Sequence, residues 1–203
     1  AAQMINFSIR GTGSSGHLVG GILLSAILGP WAALITLASV LVIQCLAFAD
    51  GGFMALGANI LNMAVFSCLV AYPLIFKPLM KPDASPGRIL AASVLASVAG
   101  LELGALAVTV ETEASGITAL PMGQFLLFML PIHLFIGIGE GLATAAVIYV
   151  VQRYKPELLS GVRRRKPAGK RKFGKALAAI ALTALLIGGS FSWVASSDPD
   201  GLE

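Results

Sequence analysis

Residues 89–110 read ILAASVLASVAGLELGALAVTV and contain a single charged side chain, that of Glu102. A helix that crosses the hydrocarbon core of a bilayer needs about 20 predominantly apolar residues. This stretch therefore predicts a transmembrane helix. Apolar runs flank it in both directions, at residues 31–48, 53–80, 124–151 and 176–195. The sequence accordingly predicts an all-α fold, a polytopic bundle of transmembrane helices.

Two further apolar runs are less regular. Residues 18–28 end at Gly29-Pro30, a strong helix breaker. We expect them to cross the membrane as an unusually short helix that its neighbours shield. Residues 1–9 (AAQMINFSI) are interpreted as the last turns of a membrane helix whose start is missing, so that N-terminal helices are absent. About seven membrane segments are therefore expected, one of them partial and one short.

The composition excludes several classes of protein. Hydrophobic residues make up 57% of the 203 residues and charged residues 12%, whereas soluble domains are roughly 45–50% apolar and about 25% charged. So few charged side chains cannot cover a soluble globule, which excludes a soluble enzyme and a disordered chain. Two cysteines, Cys45 and Cys68, are too few for a disulfide scaffold, and we expect both to be buried free thiols.

The positive charge is concentrated in one segment. Ten of the 14 Lys and Arg residues lie between Arg153 and Lys175. Basic loops of membrane proteins stay in the cytoplasm, so this segment predicts a cytoplasmic linker and no nucleic-acid partner. Counting crossings from it places three polar loops outside, at residues 10–17, 50–52 and 111–123. It places two loops inside, at residues 29–30 and 81–88.

His17 is the side chain best suited to bind a metal. It ends the Gly/Ser-rich stretch GTGSSGH in a loop predicted to lie outside, and we expect it to open the next helix. Imidazole is the commonest metal ligand and suits Zn, Cu, Fe and Ni. One histidine does not make a site alone, and the alternative is a polar residue at the start of a helix.

Three ionisable residues lie inside predicted spans, namely Glu102, His133 and Glu140. Such groups are costly at membrane depth, so they are either paired or functional. A packing or coupling network is one interpretation, and a proton relay in a secondary ion transporter or channel is another. For His133 considered by itself, we expect a hydrogen bond to a neighbouring helix. Asn59 and Asn62, three residues apart, share one face and are expected to bond between helices.

Enzyme motifs are absent from the sequence. It contains no H-E-x-x-H, no P-loop and no C-x-x-C. The GIGEG run at residues 137–141 lies inside a membrane span, where small residues allow close helix packing. We therefore expect a non-catalytic protein that does not itself hydrolyse ATP.

Several ordered strings resemble one family. These are SSGHLVGG, LGPWAAL, LVIQCLAFADGG and ALGANILNMA, followed by HLFIGIGEGLATAAVI. Together they resemble the CbiM/NikM family, the substrate-specific membrane components of energy-coupling-factor transporters for cobalt or nickel. The resemblance covers residues 1–154. Residues 155–175 would be the cytoplasmic linker. Residues 176–203 would be a single span with an external DPDGLE tail that is similar to the PDGLE-type, CbiN/NikN-like regions.

The resemblance implies a site for Co²⁺ or Ni²⁺ on the outer side, with the ion as transported substrate and no organic cofactor. His17 matches one family ligand. The other ligands would come from a Met-His N-terminus that this sequence lacks. The ring nitrogen of His17 that does not bind the metal is expected to form a hydrogen bond, either with Asn59 or with a loop carbonyl. Loops around the site would be shaped by Ser14, Ser15, Gly16, Asp50, Gly51, Gly52, Gly57, Asn59 and Asn62.

The resemblance also implies partners. A transmembrane coupling subunit and a pair of cytoplasmic ATPases would associate with the protein in the plasma membrane of a prokaryote. ATP hydrolysis on those partners would reorient the protein and release the metal inward. The basic segment would be solvated and could contact lipid headgroups.

Overall fold

The computed structural model describes residues 3, 6–9, 11–48, 51–81, 83–118 and 120–160. The elements follow one another in the order β1 (Asn6–Ile9), β2 (Ser14–His17), α1 (Gly21–Leu28), α2 (Pro30–Phe48), α3 (Phe53–Leu79), α4 (Pro86–Ser115) and α5 (Met122–Tyr154). A short 3₁₀ turn, Pro156–Leu158, follows α5.

Four helices in the described part are long and apolar enough to cross a membrane, namely α2, α3, α4 and α5. Their outward surfaces are apolar, since side chains such as Ile35, Leu74 and Phe135 are 67%, 71% and 73% exposed. Such surfaces suit lipid and would be costly in water. The predicted fold, an all-α multi-pass membrane bundle, is confirmed.

The first described residues form a hairpin and not a helix. Strands β1 and β2 pair antiparallel, with Asn6 opposite His17 and Ile9 opposite Ser14. The connecting turn uses left-handed backbone at Gly11 and Gly13, which glycine adopts without steric cost. The interpretation of residues 1–9 as the end of a membrane helix is therefore wrong for residues 6–9. Their backbone groups bond across the hairpin instead.

The expected count of about seven membrane segments is not confirmed. Residues 6–9 of the first expected segment form strand β1, and the last expected segment, at residues 176–195, lies outside the described residues. The short segment at residues 18–28 exists as α1, which has eight residues. At 1.5 Å per residue α1 is only about 12 Å long.

The extended chain before α1 supplies the missing length. Ile9 packs with Phe125 near the start of α5. Further along, Val19 bonds to Glu140, and the Ser160 amide beyond the end of α5 bonds to the Ala26 carbonyl. The hairpin and α1 therefore run alongside the whole of α5. Irregular backbone at membrane depth is tolerated where protein surrounds it.

The break between α1 and α2 is where the sequence predicts it. Gly29 has a φ of 85°, and its amide bonds to the Ser25 carbonyl at the end of α1. Pro30 then starts α2, a position where its missing N–H is not needed. In α3, hydrogen bonding of the wider π type extends over Ile60–Phe76 and includes Pro73.

The two ends of the bundle differ in charge. The Lys and Arg residues within the described ranges lie at the end where α3 meets α4 and α5 terminates; they are Lys77, Lys81, Arg88, Arg153 and Lys155. We call this the basic end. Glu111 and Glu113 lie at the opposite, acidic end of α4. The difference agrees with the predicted alternation of loops.

Small residues allow α4 and α5 to pack closely. A Cβ atom at Gly137 would lie 2.8 Å from the Val98 Cα atom, and one at Gly141 would collide with the Val94 backbone. These glycines and valines are each spaced by four residues, so they form two facing ridges. The packing role predicted for the GIGEG run is confirmed.

Candidate metal site on the hairpin

His17 is the last residue of β2, and α1 begins only at Gly21. The expectation that His17 opens a helix is therefore wrong. Because side chains alternate along a strand, Ser15 and His17 share one face of the hairpin and Gly16 lies on the other. The imidazole is half-buried on the face shared with Ser15.

The two ring nitrogens of His17 have different partners. Nδ1 lies 3.1 Å from the Gln3 carbonyl oxygen, and Nε2 lies 2.9 Å from the Ser15 hydroxyl. A carbonyl oxygen only accepts, so Nδ1 carries the proton and Nε2 accepts from Ser15. The single lone pair on Nε2 therefore faces the Ser15 hydroxyl, which a metal would have to displace. A ligating histidine that donates its other N–H to a backbone carbonyl is the usual arrangement in metal sites.

Gln3 is a residue that the sequence did not indicate. It is only 4% exposed, and its side-chain amide donates to the Val19 carbonyl at 3.3 Å. Its own carbonyl is the loop carbonyl that holds His17 Nδ1, one of the two partners expected for that ring. Backbone acceptors leave no signature in sequence, since every residue carries one.

The face of β2 that carries Gly16 packs against α5. A Cβ atom at Gly16 would lie 2.5 Å from Ile136 Cδ1 and 3.6 Å from His133 Nε2, so a larger residue here would have to displace the end of the Ile136 side chain. Three residues later, the Val19 N–H donates to Glu140 Oε2 at 2.7 Å. His17 thus lies between two contacts with one helix.

The outer loops are described in part. Gly51 is buried with a φ of 68°, and Gly52 and Gly57 are exposed, while Asp50 lies outside the described residues. Asn59 is half-buried at the start of the π-type stretch of α3. The contacts of the described residues do not test whether these residues and Ser14 shape the site, and that role stays a prediction.

Asn62 bonds between helices, as predicted. Its side-chain amide donates to Glu111 Oε2 on α4 at 2.8 Å. The backbone carbonyl of Asn62 also lies against Gly104 of α4, where no side chain would fit. Asn62 is therefore a packing residue between α3 and α4 at the acidic end.

Glu102, His133 and Glu140 do not hydrogen-bond to one another in the described structure. His133 Nδ1 donates to the Met129 carbonyl, one turn back on its own helix, at 2.8 Å. Glu140 accepts from Val19, and Glu102 is half-buried on α4. The expectation that His133 bonds to a neighbouring helix is therefore wrong, whereas a packing or coupling network of the three residues stays a prediction. No hydrogen-bonded relay joins the three groups.

Within residues 3–160, as far as they are described, no three His, Cys, Asp or Glu side chains are grouped to hold a metal. Cys45 and Cys68 are both free thiols. Cys68 is buried as expected, with Sγ 3.8 Å from the Gly21 carbonyl, whereas Cys45 is only half-buried.

Comparison with known proteins shows to which family the chain belongs. The family model described as the CbiM cobalt uptake substrate-specific transmembrane region matches residues 1–158. The chain belongs to the CbiM family. A PDGLE domain matches residues 174–203, in agreement with the resemblance of the DPDGLE tail.

Relatives of this CbiM-family chain are named for nickel or cobalt. It is 35% identical to the fused nickel transport protein NikMN of Rhodobacter capsulatus, over 84% of the chain and 52% of that protein. It is 30% identical to the cobalt transport protein CbiM of Kyrpidia tusciae, over 73% of the chain and 61% of that protein. The chain thus spans less than two thirds of the length of either relative.

A solved structure has the same fold. The crystal structure of a transition metal transporter superposes with a TM-score of 0.65 at 34% identity, covering 74% of this chain and 70% of that one. The CbiM-family chain is therefore similar in sequence and in fold to membrane proteins that transport metals.

Proposed function

We propose that the protein captures Co²⁺ or Ni²⁺ at the outer face of the membrane, with His17 Nε2 as a ligand. The observation that carries the proposal is the bonding of the His17 ring. Its Nδ1 proton is held by the Gln3 carbonyl, so the lone pair of Nε2 lies on the face shared with Ser15. The family membership supports a divalent transition metal as the substrate.

Metal binding requires one local change. A ring nitrogen has a single lone pair, so the ion displaces the Ser15 hydroxyl from Nε2. The Gln3 carbonyl meanwhile keeps the ring oriented and raises its basicity. The remaining ligands are the amine, backbone nitrogen and imidazole of a Met-His N-terminus, as the resemblance implies. A tetragonal all-nitrogen set suits Ni²⁺, and the family resemblance implies that Co²⁺ is also accepted.

Delivery inward depends on partners in this proposal. The protein associates with a transmembrane coupling subunit and with cytoplasmic ATPases, and it contributes no catalytic step. The basic end, together with the linker at residues 155–175, faces the cytoplasm where the ATPases are. Residues 176–203 form a single span with an external tail. The family membership and the charge difference between the two ends of the bundle support this arrangement.

An uptake assay tests the proposal. Cells that express the protein with its natural N-terminus, the coupling subunit and the ATPases would be given radiolabelled Ni²⁺ or Co²⁺. We expect uptake to stop when the ATPases are inactivated, and to fall at least about tenfold in His17→Ala, with equal amounts of protein in the membrane. Uptake that continues without active ATPases would instead indicate a secondary transporter.

A further inference from the structure

We propose that Glu140 is a positioning residue for the metal ligand His17. The inference rests on the proposed function, because it concerns the same site. Glu140 does not contact the His17 ring. It holds the main chain two residues further on, through the bond from the Val19 N–H to Oε2 at 2.7 Å.

Glu140 has an unusual position for a carboxylate. It lies in the middle of α5 and is only 4% exposed. A carboxylate at membrane depth is costly unless it has a specific partner. Here the partner is a backbone amide just before α1, which starts at Gly21. The positive end of the α1 dipole also favours a negative group at this point.

Two contacts with α5 fix the chain around His17. Gly16 lies against Ile136, one residue before the ligand. Val19 bonds to Glu140, two residues after it. Ile136 and Glu140 are four residues apart, so they lie on the same face of α5. The backbone of His17 therefore cannot slide along α5 while both contacts persist.

The chain beyond Val19 is also constrained. Gly20 has a φ of 76°, a left-handed conformation that turns the extended chain into α1. At Gly21 a Cβ atom would collide with the Ser67 side chain of α3. The Glu140 carboxylate thus holds the Val19 amide at 2.7 Å and also interacts with the neighbouring Gly20 amide. Removing the acceptor frees the segment that carries His17.

The prediction is that Glu140 acts as a hydrogen-bond acceptor and that its negative charge is not needed. Glu140→Gln keeps a carbonyl oxygen that can accept from Val19, and Glu140→Leu removes the acceptor while keeping a side chain of similar size. Loss of a group that orients a metal ligand typically lowers metal affinity by about 10–100-fold. We expect a loss of this size in Glu140→Leu. In Glu140→Gln we expect an affinity within about threefold of the unmutated protein.

The experiment is a Co²⁺ titration of the purified protein with its natural N-terminus, followed by its visible absorption spectrum. The spectrum reports the geometry of the ligands, which a general loss of stability does not alter. Glu102→Leu is the matched control, because it removes another intramembrane carboxylate that has no hydrogen bond in the described structure. We expect the control to keep both the affinity and the spectrum of the unmutated protein.

Several results would overturn the inference. If Glu140→Gln loses as much affinity as Glu140→Leu, the carboxylate acts through its charge. If Glu140→Leu binds like the control, the bond does not position His17. Should Glu140→Leu fail to fold, an amide-to-ester replacement at Val19 removes that donor instead, and an affinity equal to that of the unmutated protein would overturn the inference. Failure of the proposed function would look different, since the unmutated protein would then bind no Co²⁺.

Discussion

At the scale of single residues, the partners of the His17 ring determine where a metal can bind. The Gln3 carbonyl fixes the proton on Nδ1, and the Ser15 hydroxyl then bonds to Nε2. Sequence reasoning found His17 because a histidine next to a Gly/Ser-rich loop is conspicuous. It could not find Gln3, because the contribution of that residue to the ring is a backbone oxygen.

Ser15 competes with the metal for Nε2, and this can be measured. Because the ion must displace the Ser15 hydroxyl, Ser15→Ala should bind Ni²⁺ more tightly. A neutral hydrogen bond contributes about 0.5–1.5 kcal/mol, which corresponds to roughly two- to tenfold in affinity. Calorimetric titration of the variant beside the unmutated protein measures the difference. A clear loss of affinity would show that the Ser15 hydroxyl supports the bound metal rather than competing with it.

At the scale of elements, the long helices follow from apolar runs, whereas the hairpin does not. Residues 89–110 have to be helical in a membrane, since only a helix satisfies their backbone groups within the segment. The run at residues 1–9 is apolar too, yet residues 6–9 pair with Ser14–His17 across a glycine turn. That pairing also completes the short crossing of α1. Partners distant in sequence cannot be inferred from apolar periodicity alone.

The contact of α4 with α5 gives a prediction with an internal control. Gly141→Ala places a methyl group against the Val94 backbone, so the helices must separate. Overpacking of this kind costs about 1–3 kcal/mol and should lower the thermal unfolding temperature in detergent. Gly139→Ala, in the same GIGEG run, points into open space and should leave that temperature unchanged or slightly higher. Equal destabilisation by both variants would contradict the packing described for Gly141.

At the scale of the whole molecule, the intramembrane polar residues serve packing and positioning. The sequence placed Glu102, His133 and Glu140 at membrane depth correctly, but their partners depend on which elements surround α5. Glu140 meets the hairpin segment, and His133 turns back on its own helix. The absence of a hydrogen-bonded chain between them weakens the interpretation of a proton relay.

The charge difference between the ends predicts the orientation of the bundle. With Cys45 and Cys68 replaced by alanine, Glu113→Cys at the acidic end should react with a membrane-impermeant thiol reagent added to intact cells. Arg153→Cys at the basic end should react only after the cells are opened, because basic loops face the cytoplasm. The opposite labelling pattern would invert the orientation and place His17 nearer the cytoplasm.

The measurement that tests the central claim most directly is a calorimetric titration of Ni²⁺ and Co²⁺ into the purified protein with its natural N-terminus, beside His17→Ala. We expect saturable binding in the unmutated protein and its loss in the variant, with both proteins unfolding at similar temperatures without metal. Equal affinity in the two proteins, or no binding in either, would contradict the assignment of His17 as a metal ligand.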